Sequence, residues 1–313
     1  MRGRFAPSPT GPLHLGNLRT GLVAWLFARS AGSTFSLRFE DLDSSVVRPE
    51  HYDGQRRDMA ALGLDWDDEL CQSEHVDRYR VALETLTAAG LTYPCYCSRR
   101  EVREAASAPH QNAPDGAYPG TCRDLTVSER QEREAEGRKP ALRLRTDQQE
   151  ASFVDVVFGE TTALLDDMVL ARRDGTPAYN LAVVVDDAHQ GIEQVVRADD
   201  LLASTPRQLH LGRLLGVPEP SFAHVPLVLG PDGSRLAKRD GAVTLAERLE
   251  LGESAEQVRS YLAASIGLID WNERPTPREL VARFDPSRLS RQPWRMDSAA
   301  VAPNLTGDQP ERN

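Results

Sequence analysis

Residues 3–17 read Gly3-Arg-Phe-Ala-Pro-Ser-Pro-Thr-Gly-Pro-Leu-His-Leu-Gly-Asn17, and they decide the fold. Residues 3–6 predict a short strand, and the prolines and glycine of 7–12 predict a turn. From Leu15 to about Arg29, leucine and aromatic residues recur at helical spacing. Residues 34–39 alternate as a second strand. This strand–loop–helix–strand order is the unit of a parallel α/β sheet with a right-handed crossover.

Further along the chain, apolar periodicity predicts helices over 49–62, 74–89, 201–215, 254–266 and 277–284. Strands are predicted at 141–145, 153–158 and 225–229, with a Gly-Pro-Asp-Gly turn at 230–233. The near-continuous apolar run from Tyr179 to Asp186 predicts a buried strand of a parallel sheet. Residues 303–313 are expected to be disordered.

The composition indicates a globular protein of about two domains. The chain has 313 residues, of which 40% are hydrophobic, and this excludes a disordered, collagen-like or coiled-coil protein. We expect a cytoplasmic protein, because residues 1–10 lack the apolar core of a signal peptide. No apolar run reaches the roughly 18 residues that a membrane span needs. The net charge of −10 argues against binding nucleic acid by general electrostatic attraction.

Two segments have features typical of a phosphate site. His14 and Gly16 lie where the first helix begins, and a helix N-terminus attracts anions. A glycine-rich loop at 230–241 carries three cations: Arg235, Lys238 and Arg239. Such a loop can neutralise charge that develops on a polyphosphate, and Lys238 is unusual because this chain uses arginine almost throughout. A proline-rich turn and a solvated basic turn are the alternative interpretations.

Three of the four cysteines lie near one another, as Cys95-Tyr-Cys97 and Cys122. Zinc takes four ligands and often takes thiolates, so these residues predict a structural zinc site with one further ligand. That ligand can come from one of three residues: Tyr118, His110 or Asp124. Cys71 is distant in sequence. Buried free thiols or one disulfide are the alternatives, and the polar surroundings argue against buried thiols.

Polar residues at predicted strand ends indicate a crevice for a small charged ligand. They are Arg4, Ser8, Glu40, Tyr179 and Arg197. The carboxyl ends of parallel strands meet at one edge of the sheet, so these side chains are expected to converge. One carboxylate and two arginines suit an amino acid, with Glu40 binding the ammonium group and an arginine binding a carboxylate. Taken singly, each residue is equally typical of a surface ion pair.

Together these motifs resemble the class I glutamyl-tRNA synthetase family. Residues 4–17 resemble its HIGH signature, Leu37-Arg-Phe-Glu-Asp-Leu-Asp43 resembles the strand that follows, and Arg235-Leu-Ala-Lys-Arg239 resembles the KMSKS loop. The resemblance covers about residues 3–290. It implies an α/β fold with a Rossmann-like parallel sheet, an inserted zinc-bearing module of the acceptor type and a short helical C-terminal part.

The resemblance also implies a division of the chain. The two halves of the catalytic domain span 1–90 and 171–245, the second half including the KMSKS-like loop. The inserted module with its zinc spans 91–170. A helical remnant at 246–300 and a disordered tail at 301–313 complete the chain.

Several shorter stretches resemble the truncated members of the family, which lack the anticodon-binding domain: residues 72–73, 118–123, 179–187, 195–197 and 205–208. Those members activate L-glutamate with ATP and Mg²⁺. They then transfer it to the queuosine base in the anticodon loop of tRNA(Asp), and not to a 3′ end. The resemblance therefore implies ATP, L-glutamate and queuosine-bearing tRNA(Asp) as partners, no membrane, and a monomer.

By the same resemblance, individual residues receive roles. His14 and Lys238 are catalytic. The residues that bind ATP are His14, Gly16, Asn17 and Lys238. Those that bind glutamate are Arg4, Phe5, Ala6, Pro7, Ser8, Glu40, Tyr179 and Arg197. One structural zinc ion is held by Cys95, Cys97, Tyr118 and Cys122, which makes Tyr118 the fourth ligand.

Three residues depart from the family pattern. Asn17 replaces the second histidine of HIGH, Arg235 replaces the first lysine of KMSKS, and Ala237 replaces its serine. Three other functions stay open on the sequence alone. The chain can be a short glutamyl-tRNA synthetase that charges a 3′ end, a catalytically silent RNA-binding relative, or an adenylyltransferase acting on a small metabolite. A basic strip for RNA would comprise Arg99, Arg100, Arg103, Arg123, Arg143 and Arg145.

Overall fold

The computed structural model describes residues 1–98, 100–102, 118–148, 150–236 and 243–296. Its first unit matches the predicted one and consists of strand β1 (Gly3–Phe5), helix α1 (Leu15–Ser30) and strand β2 (Phe35–Phe39). β2 lies parallel to β1, with Arg4 opposite Ser36. Leu18, Leu22 and Leu26 of α1 are fully buried, so this helix is a central element of the core.

A seven-stranded sheet lies at the centre of the described part of the chain. Besides β1 and β2 it contains β3 (Asp68–Cys71), β6 (Glu150–Asp155), β7 (Gly159–Leu164), β9 (Gln194–Ala198) and β10 (Ser221–Val225). The strand order is β3-β2-β1-β9-β10-β6-β7. Each neighbouring pair is parallel except β6 and β7, which are antiparallel. The predicted parallel α/β sheet is therefore confirmed.

The order of the strands reverses between β1 and β9. From β1 the chain adds β2 and β3 on one side, and it later places β9 and β10 on the other. At such a reversal the loops leave the sheet in opposite directions, so a crevice opens at the carboxyl ends of the strands. Arg4 on β1 and Arg197 on β9 lie on the two strands that border this reversal.

A second sheet occupies part of the predicted insert. It contains β4 (Thr92–Cys95), β5 (Ala141–Leu144) and β8 (Val169–Ala171), in the antiparallel order β4-β5-β8. Helix α4 (Val127–Ala135) lies between β4 and β5 in the chain and begins with a Thr126–Glu129 capping box. β6 and β7, which follow within residues 91–170, extend the main sheet instead.

Of the remaining described helices, five confirm the periodicity to within a few residues, and the one at Leu245–Glu250 has no predicted counterpart. They are α2 (Pro49–Ala61), α3 (Val76–Ala88), α6 (Thr205–Leu215), α7 (Leu245–Glu250), α8 (Ala255–Ser265) and α9 (Pro277–Arg283). Short 3₁₀ turns precede α3 and α6, at Gln72–His75 and Asp199–Ser204, and a third spans Pro286–Arg288. α8 and α9 both pack against α1, which explains why α1 is buried on several sides.

One predicted element is wrong. The run from Tyr179 to Asp186 is not a strand but the start of helix α5 (Tyr179–His189). Leu181 and Ala182 pack into a second core with residues of α3 and α6, and this packing overrides the strand preference of the three valines. A short apolar run has no periodicity that separates a buried strand from a buried helix.

Two predicted strands have different bounds. The strand predicted at 153–158 ends at Asp155, because its carboxylate accepts hydrogen bonds from the N–H groups of Val157 and Phe158 and turns the chain. The strand predicted at 225–229 is divided at Pro226. After it, β11 (Val228–Leu229) pairs with β12 (Trp294–Arg295). No helix among the described residues is long and apolar enough to cross a membrane, and residues 303–313 lie outside the described ranges.

Candidate active site

Helix α1 begins beside the crevice with a reciprocal cap. His14 precedes the helix, and its Nδ1 accepts a hydrogen bond from the backbone N–H of Asn17 at 3.2 Å. Asn17 Oδ1 in turn accepts from the backbone N–H of His14 at 3.2 Å. This cap satisfies two backbone donors at the helix start. Asn17, where the family signature has its second histidine, therefore orders the loop that carries His14.

The cap also fixes the protonation of His14. Nδ1 is an acceptor, so the neutral imidazole carries its proton on Nε2 and can donate from there. Burial, and to a smaller extent the Arg235 guanidinium, lower the pKa of His14, which favours this neutral form at pH 7. Gly16 makes room for the ring, because a Cβ there would lie 2.9 Å from two ring atoms. His14 is therefore a neutral hydrogen-bond donor at the start of α1.

A buried ion cluster joins β1, β2 and α5. Arg4 donates through Nε and Nη2 to the two carboxylate oxygens of Asp187, at 3.1 and 3.3 Å. Arg38 Nη1 donates to Asp187 Oδ1 at 2.7 Å. Burial alone would raise the pKa of Asp187, but Arg38 and Arg4 outweigh burial and hold this pKa below its usual range. Asp187 is therefore ionised, and it fixes both arginines without help from a ligand.

Glu40 follows β2 directly and faces the same cluster. Its side chain is 12% exposed, and Arg38 Nη2 donates to its Oε1 at 3.4 Å. Burial raises the pKa of Glu40, and the charges of Arg38 and Arg4 partly offset this rise. Because the contact with Arg38 is long, Glu40 retains acceptor capacity for an ammonium group.

Arg197 on β9 is 5% exposed, and its hydrogen-bond partners are uncharged groups. It donates to Gln208 Oε1 at 2.6 Å, Thr205 Oγ1 at 2.7 Å, His224 Nε2 at 3.1 Å and the Tyr179 hydroxyl at 3.4 Å. Within the described ranges, no carboxylate contacts this guanidinium directly. A buried cation of this kind is costly unless an anion compensates it, so this position favours an anionic ligand.

The structure thus brings together Arg4, Glu40, Tyr179 and Arg197, which the sequence predicted to converge. Arg4 is already paired with Asp187, so the groups left for a ligand are the carboxylate of Glu40 and the guanidinium of Arg197. This arrangement can bind a molecule with an ammonium group and a carboxylate.

The loop after β1 contributes mainly its backbone. The Phe5 side chain is buried in the main core, which leaves its backbone as its contribution to the loop. Ala6 is half-buried, Pro7 is buried, and Ser8 is exposed. Gln55 Nε2 donates to the carbonyl oxygen of Ser8 at 3.0 Å and fixes the loop. The Ser8 hydroxyl and the peptide groups are what this segment can offer to a ligand.

The basic loop is described as far as Leu236, and Lys238 and Arg239 lie outside the described residues. Arg235 forms an ion pair with Asp200 at the 3₁₀ turn after β9. Beyond the loop, the N–H of Leu15 donates to the carbonyl oxygen of Val243 at 2.7 Å. The chain that follows the loop is therefore attached to the start of α1.

Sequence reasoning missed several residues of the site. Arg38, Asp187, Gln208 and His224 contact predicted site residues, and Asp155 lies one step further from the crevice. Arg38 lies within an alternating strand, and Asp187 follows a run that was interpreted as a strand. The order Thr205-Pro-Arg-Gln208 was noted as a family feature, but no local signal pointed to its contact with Arg197.

A second candidate site lies in the three-stranded part of the molecule. The sulfur atoms of Cys95, Cys97 and Cys122 all lie within 4.8 Å of one another. The Tyr118 hydroxyl oxygen lies 3.3 Å from Cys95 Sγ and 3.9 Å from Cys97 Sγ, and Cys97 Sγ lies 3.5 Å from Cys122 Sγ. Four donor atoms therefore surround one small volume, and they can hold a metal ion.

The electrostatics of this cluster favour a thiolate. The contact with Cys95 lowers the pKa of Cys122, and the same contact, together with burial, raises the pKa of Cys95. The Arg143 guanidinium carbon lies 3.6 Å from the centre of the Tyr118 ring. The Cys122 thiol therefore loses its proton more readily, and the Cys95 thiol less readily, than an ordinary cysteine, and a bound metal ion would favour the thiolate form of its ligands.

The other candidates for a fourth ligand are unfavourable or undescribed. Asp124 is 81% exposed and pairs with Arg145 at 3.0 Å. Cys71 packs against the main core, and His110 lies outside the described residues.

Of the basic strip considered for RNA, Arg100 is exposed, and the other described members are paired or buried. Arg123 pairs with Asp147 and Asp167, and Arg145 with Asp124. Arg143 is buried, and Arg99 and Arg103 lie outside the described residues.

The fold and the crevice correspond to a known enzyme class. Residues 1–301 match the model of the family described as tRNA synthetases class I (E and Q), catalytic domain, and the chain belongs to this family. A crystal structure of a glutamate tRNA ligase from Elizabethkingia meningosepticum in complex with its amino acid superimposes with a TM-score of 0.82 at 27% identity. The match covers 96% of this chain and 68% of that one. The predicted ligase class is therefore confirmed.

Within the family, closer relatives share one name. The glutamyl-Q tRNA(Asp) synthetase of Nocardia farcinica is 59% identical over 93% of this chain and 92% of its own length. That of Symbiobacterium thermophilum is 49% identical over 96% of this chain and 97% of its own length. The predicted resemblance to this branch of the family is confirmed.

Proposed function

We propose that the protein activates L-glutamate with ATP and transfers the glutamyl group to the queuosine base in the anticodon loop of tRNA(Asp). The observation that carries the proposal is the 59% identity, over nine-tenths of both chains, to a relative named for this activity. The crevice supports it independently, because it offers a carboxylate and a buried guanidinium to an amino acid.

Glutamate fits the charges of the crevice. Its ammonium group meets Glu40, and its side-chain carboxylate meets Arg197 and the Tyr179 hydroxyl. Arg4, held by Asp187, and the backbone of residues 5–8 complete the pocket. Glutamine lacks the negative charge that Arg197 needs, so the pocket discriminates against it.

ATP binds beside the start of α1. His14 Nε2 donates to a phosphate oxygen, Gly16 keeps the imidazole close to the helix, and Asn17 acts through the cap that it forms with His14. Lys238 neutralises charge as pyrophosphate leaves. Mg²⁺ bound to the ATP phosphates would shield their charge.

The reaction has two steps. The α-carboxylate of glutamate attacks the α-phosphorus of ATP in line, pyrophosphate leaves, and glutamyl-adenylate forms. A carboxylate is already ionised, so this step needs positioning and charge stabilisation but no general base. A hydroxyl of the queuosine cyclopentenediol then attacks the glutamyl carbonyl, loses its proton, and releases AMP.

We further propose that Cys95, Cys97, Cys122 and Tyr118 hold one structural zinc ion. Tetrahedral zinc with bonds of about 2.3 Å places neighbouring sulfur ligands roughly 3.8 Å apart. The 3.5 Å between Cys97 Sγ and Cys122 Sγ is close to this value. Zinc would join β4 to the segment at 118–122 and stiffen this part of the molecule.

The deciding experiment measures transfer of labelled glutamate to tRNA from cells with and without queuosine. Labelling confined to queuosine-containing tRNA supports the proposal. Equal labelling of both tRNA pools would instead identify a 3′-end synthetase, an activity that the structural similarity to glutamate tRNA ligases keeps in view. If neither is labelled, glutamate-dependent ATP–pyrophosphate exchange separates a failure of transfer from a catalytically silent protein.

A further inference from the structure

Two buried side chains, those of Asp155 and His224, form a hydrogen-bonded series that ends at Arg197. Arg197 Nε donates to His224 Nε2 at 3.1 Å, and His224 Nδ1 lies 2.6 Å from Asp155 Oδ2. The side chains of His224 and Asp155 are both 0% exposed. The three residues lie on adjacent strands, since His224 on β10 is directly opposite Arg197 on β9, and Asp155 ends β6.

The contacts define the state of the imidazole. Arg197 Nε is a donor only, so His224 Nε2 accepts and His224 Nδ1 carries the proton that is donated to Asp155. Burial, the largest cause, and Arg197 lower the pKa of His224, although Asp155 acts in the opposite direction. His224 is therefore neutral, and it transmits the influence of the Asp155 charge to Arg197.

Asp155 is itself held firmly. Its Oδ1 accepts from the N–H groups of Val157 and Phe158 at 2.9 Å each, and the backbone N–H of His224 donates to its Oδ2 at 3.1 Å. Burial alone would raise the pKa of Asp155, but the hydrogen bond from His224 and these backbone donors outweigh it and lower the pKa. Asp155 is thus a fixed anion at the end of the hydrogen-bonded series that is distant from Arg197.

The remaining contacts of Arg197 show which of its N–H groups are already occupied. A guanidinium has five N–H groups. Within the described part of the protein, Tyr179, Thr205, Gln208 and His224 account for four, and the contact with Tyr179 is the longest at 3.4 Å. His224 therefore occupies the N–H of Nε. One N–H of Nη2 remains for a ligand, together with the N–H of Nη1 that makes the long contact with Tyr179.

We propose that His224 and Asp155 are positioning residues for glutamate recognition, which hold Arg197 in one orientation and partly compensate its buried charge. This inference rests on the proposed function, because it assigns the side-chain carboxylate of glutamate to Arg197. Neither residue touches the substrate. The fixed orientation makes Arg197 selective for a carboxylate at the distance that glutamate provides.

Two variants of His224 separate its two contacts. An asparagine amide reaches the position of Nδ1 but not that of Nε2, so His224→Asn keeps a partner for Asp155 and loses the acceptor for Arg197. A glutamine amide reaches the position of Nε2, so His224→Gln restores an acceptor for Arg197. We expect His224→Asn to raise the KM for glutamate about 10- to 100-fold and His224→Gln to recover most of this loss. The kcat and the KM for ATP should change less than about threefold.

The measurements are ATP–pyrophosphate exchange and calorimetric titration of glutamate without ATP. Tyr93→Phe is the matched control, because Tyr93 also donates a buried hydrogen bond of 2.6 Å to an aspartate, Asp167, but lies in the three-stranded sheet. It should lower the Tm without changing glutamate affinity. If His224→Asn does not fold, Asp155→Asn replaces it and should also weaken glutamate binding.

The outcomes separate the two proposals. Weaker glutamate binding by His224→Asn in calorimetry supports the positioning role, whether or not the wild-type protein shows exchange. Absence of exchange in the wild-type protein would contradict only the proposed activation step. Active wild-type protein with an unchanged glutamate KM in His224→Asn overturns the positioning role. Equal loss in His224→Asn and His224→Gln overturns it as well, because the acceptor for Arg197 would then be irrelevant.

Discussion

The crevice and the cysteine cluster both gather polar groups in a buried place, but they differ in what balances the charge. In the crevice, Asp187 pairs with Arg4 and Arg38. In the cluster, the thiols and the Tyr118 hydroxyl contact one another, with Arg143 as the nearby cation. The ion pairs therefore organise the crevice without a ligand, whereas in the cluster a bound metal ion would replace thiol protons.

Loss of Arg197 should have the largest effect on the crevice. Arg197→Gln removes the cation proposed to meet the substrate carboxylate, and kcat/KM for glutamate in ATP–pyrophosphate exchange should fall about 1,000-fold. Arg145→Gln, which removes a half-buried cation paired with the exposed Asp124, is the control and should leave exchange unchanged. A loss below about tenfold would show that Arg197 does not bind the substrate carboxylate.

Removing Asp187 should lower the stability of the protein more than removing any single thiol does. Asp187→Asn leaves Arg4 and Arg38 buried without their carboxylate, and the free energy of unfolding should fall by about 3–5 kcal/mol. Urea denaturation measures this change. Asp124→Asn breaks an exposed ion pair and should be indistinguishable from the wild-type protein. Equal stability of both variants would contradict the prearranged crevice.

Metal removal should affect the cluster and spare the crevice. We expect one zinc ion per chain, and a chelator should lower the Tm by about 5 °C without changing glutamate affinity. Cys97→Ser should lose the zinc, whereas Cys71→Ser, a thiol outside the cluster, should keep it. Metal analysis and thermal unfolding provide the readout. A zinc-free protein with an unchanged Tm after chelation would show that the cluster is a group of free thiols.

The pH dependence of glutamate binding should reveal the protonation of the Glu40 carboxylate. Its pKa is raised by burial, so on acidification it gains a proton at a higher pH than an ordinary glutamate does. The protonated form cannot attract an ammonium group. The KM for glutamate should therefore rise as the pH falls through the raised pKa of Glu40, by up to about tenfold per pH unit below it. Glu40→Gln should have a high KM that varies little with pH, and a steep dependence in this variant would exclude Glu40 as its source.

The smallest effect is expected at the start of α1. In Gly16→Ala the new Cβ would lie 2.9 Å from the His14 ring, so the ring must move away from its place. We expect kcat to fall about tenfold, while the KM for glutamate stays constant. Alanine is the better helix former, but the displaced ring also gives up its hydrogen bond from the Asn17 N–H, so the two contributions oppose each other and the Tm should change little. Unchanged kcat would show that the position of His14 is not critical.

The features that could be predicted from the sequence are those whose residues are neighbours in the chain. The first strand, helix and second strand follow one another within 39 residues, and each has its own periodicity and turn signal. The cysteines of the cluster are also neighbours in the chain, so their spacing alone indicated a metal site. Glu40 and Arg197 can be proposed from the sequence because each lies at or near the end of a predicted strand.

The rest of the crevice depends on contacts between distant segments. Arg38 and Asp187 are 149 residues apart, and Asp155 and His224 are 69 apart. No local pattern connects such pairs, so only the sheet order reveals them. The error at Tyr179–Asp186 has the same origin, since the packing of α5 against α3 and α6 decides its conformation. The helix places Asp187 against Arg4, a contact that the predicted strand did not suggest.

The pairing of β11 with β12 has a practical consequence for shortening the chain. Trp294 and Arg295 are hydrogen-bonded to the two-residue strand that leads into the turn at 230–233, and Met296 is buried after them. A protease cut or a stop codon before residue 294 would leave that strand without its partner and loosen the approach to the basic loop. Residues 294–296 therefore belong to any shortened chain that is to keep this strand pair.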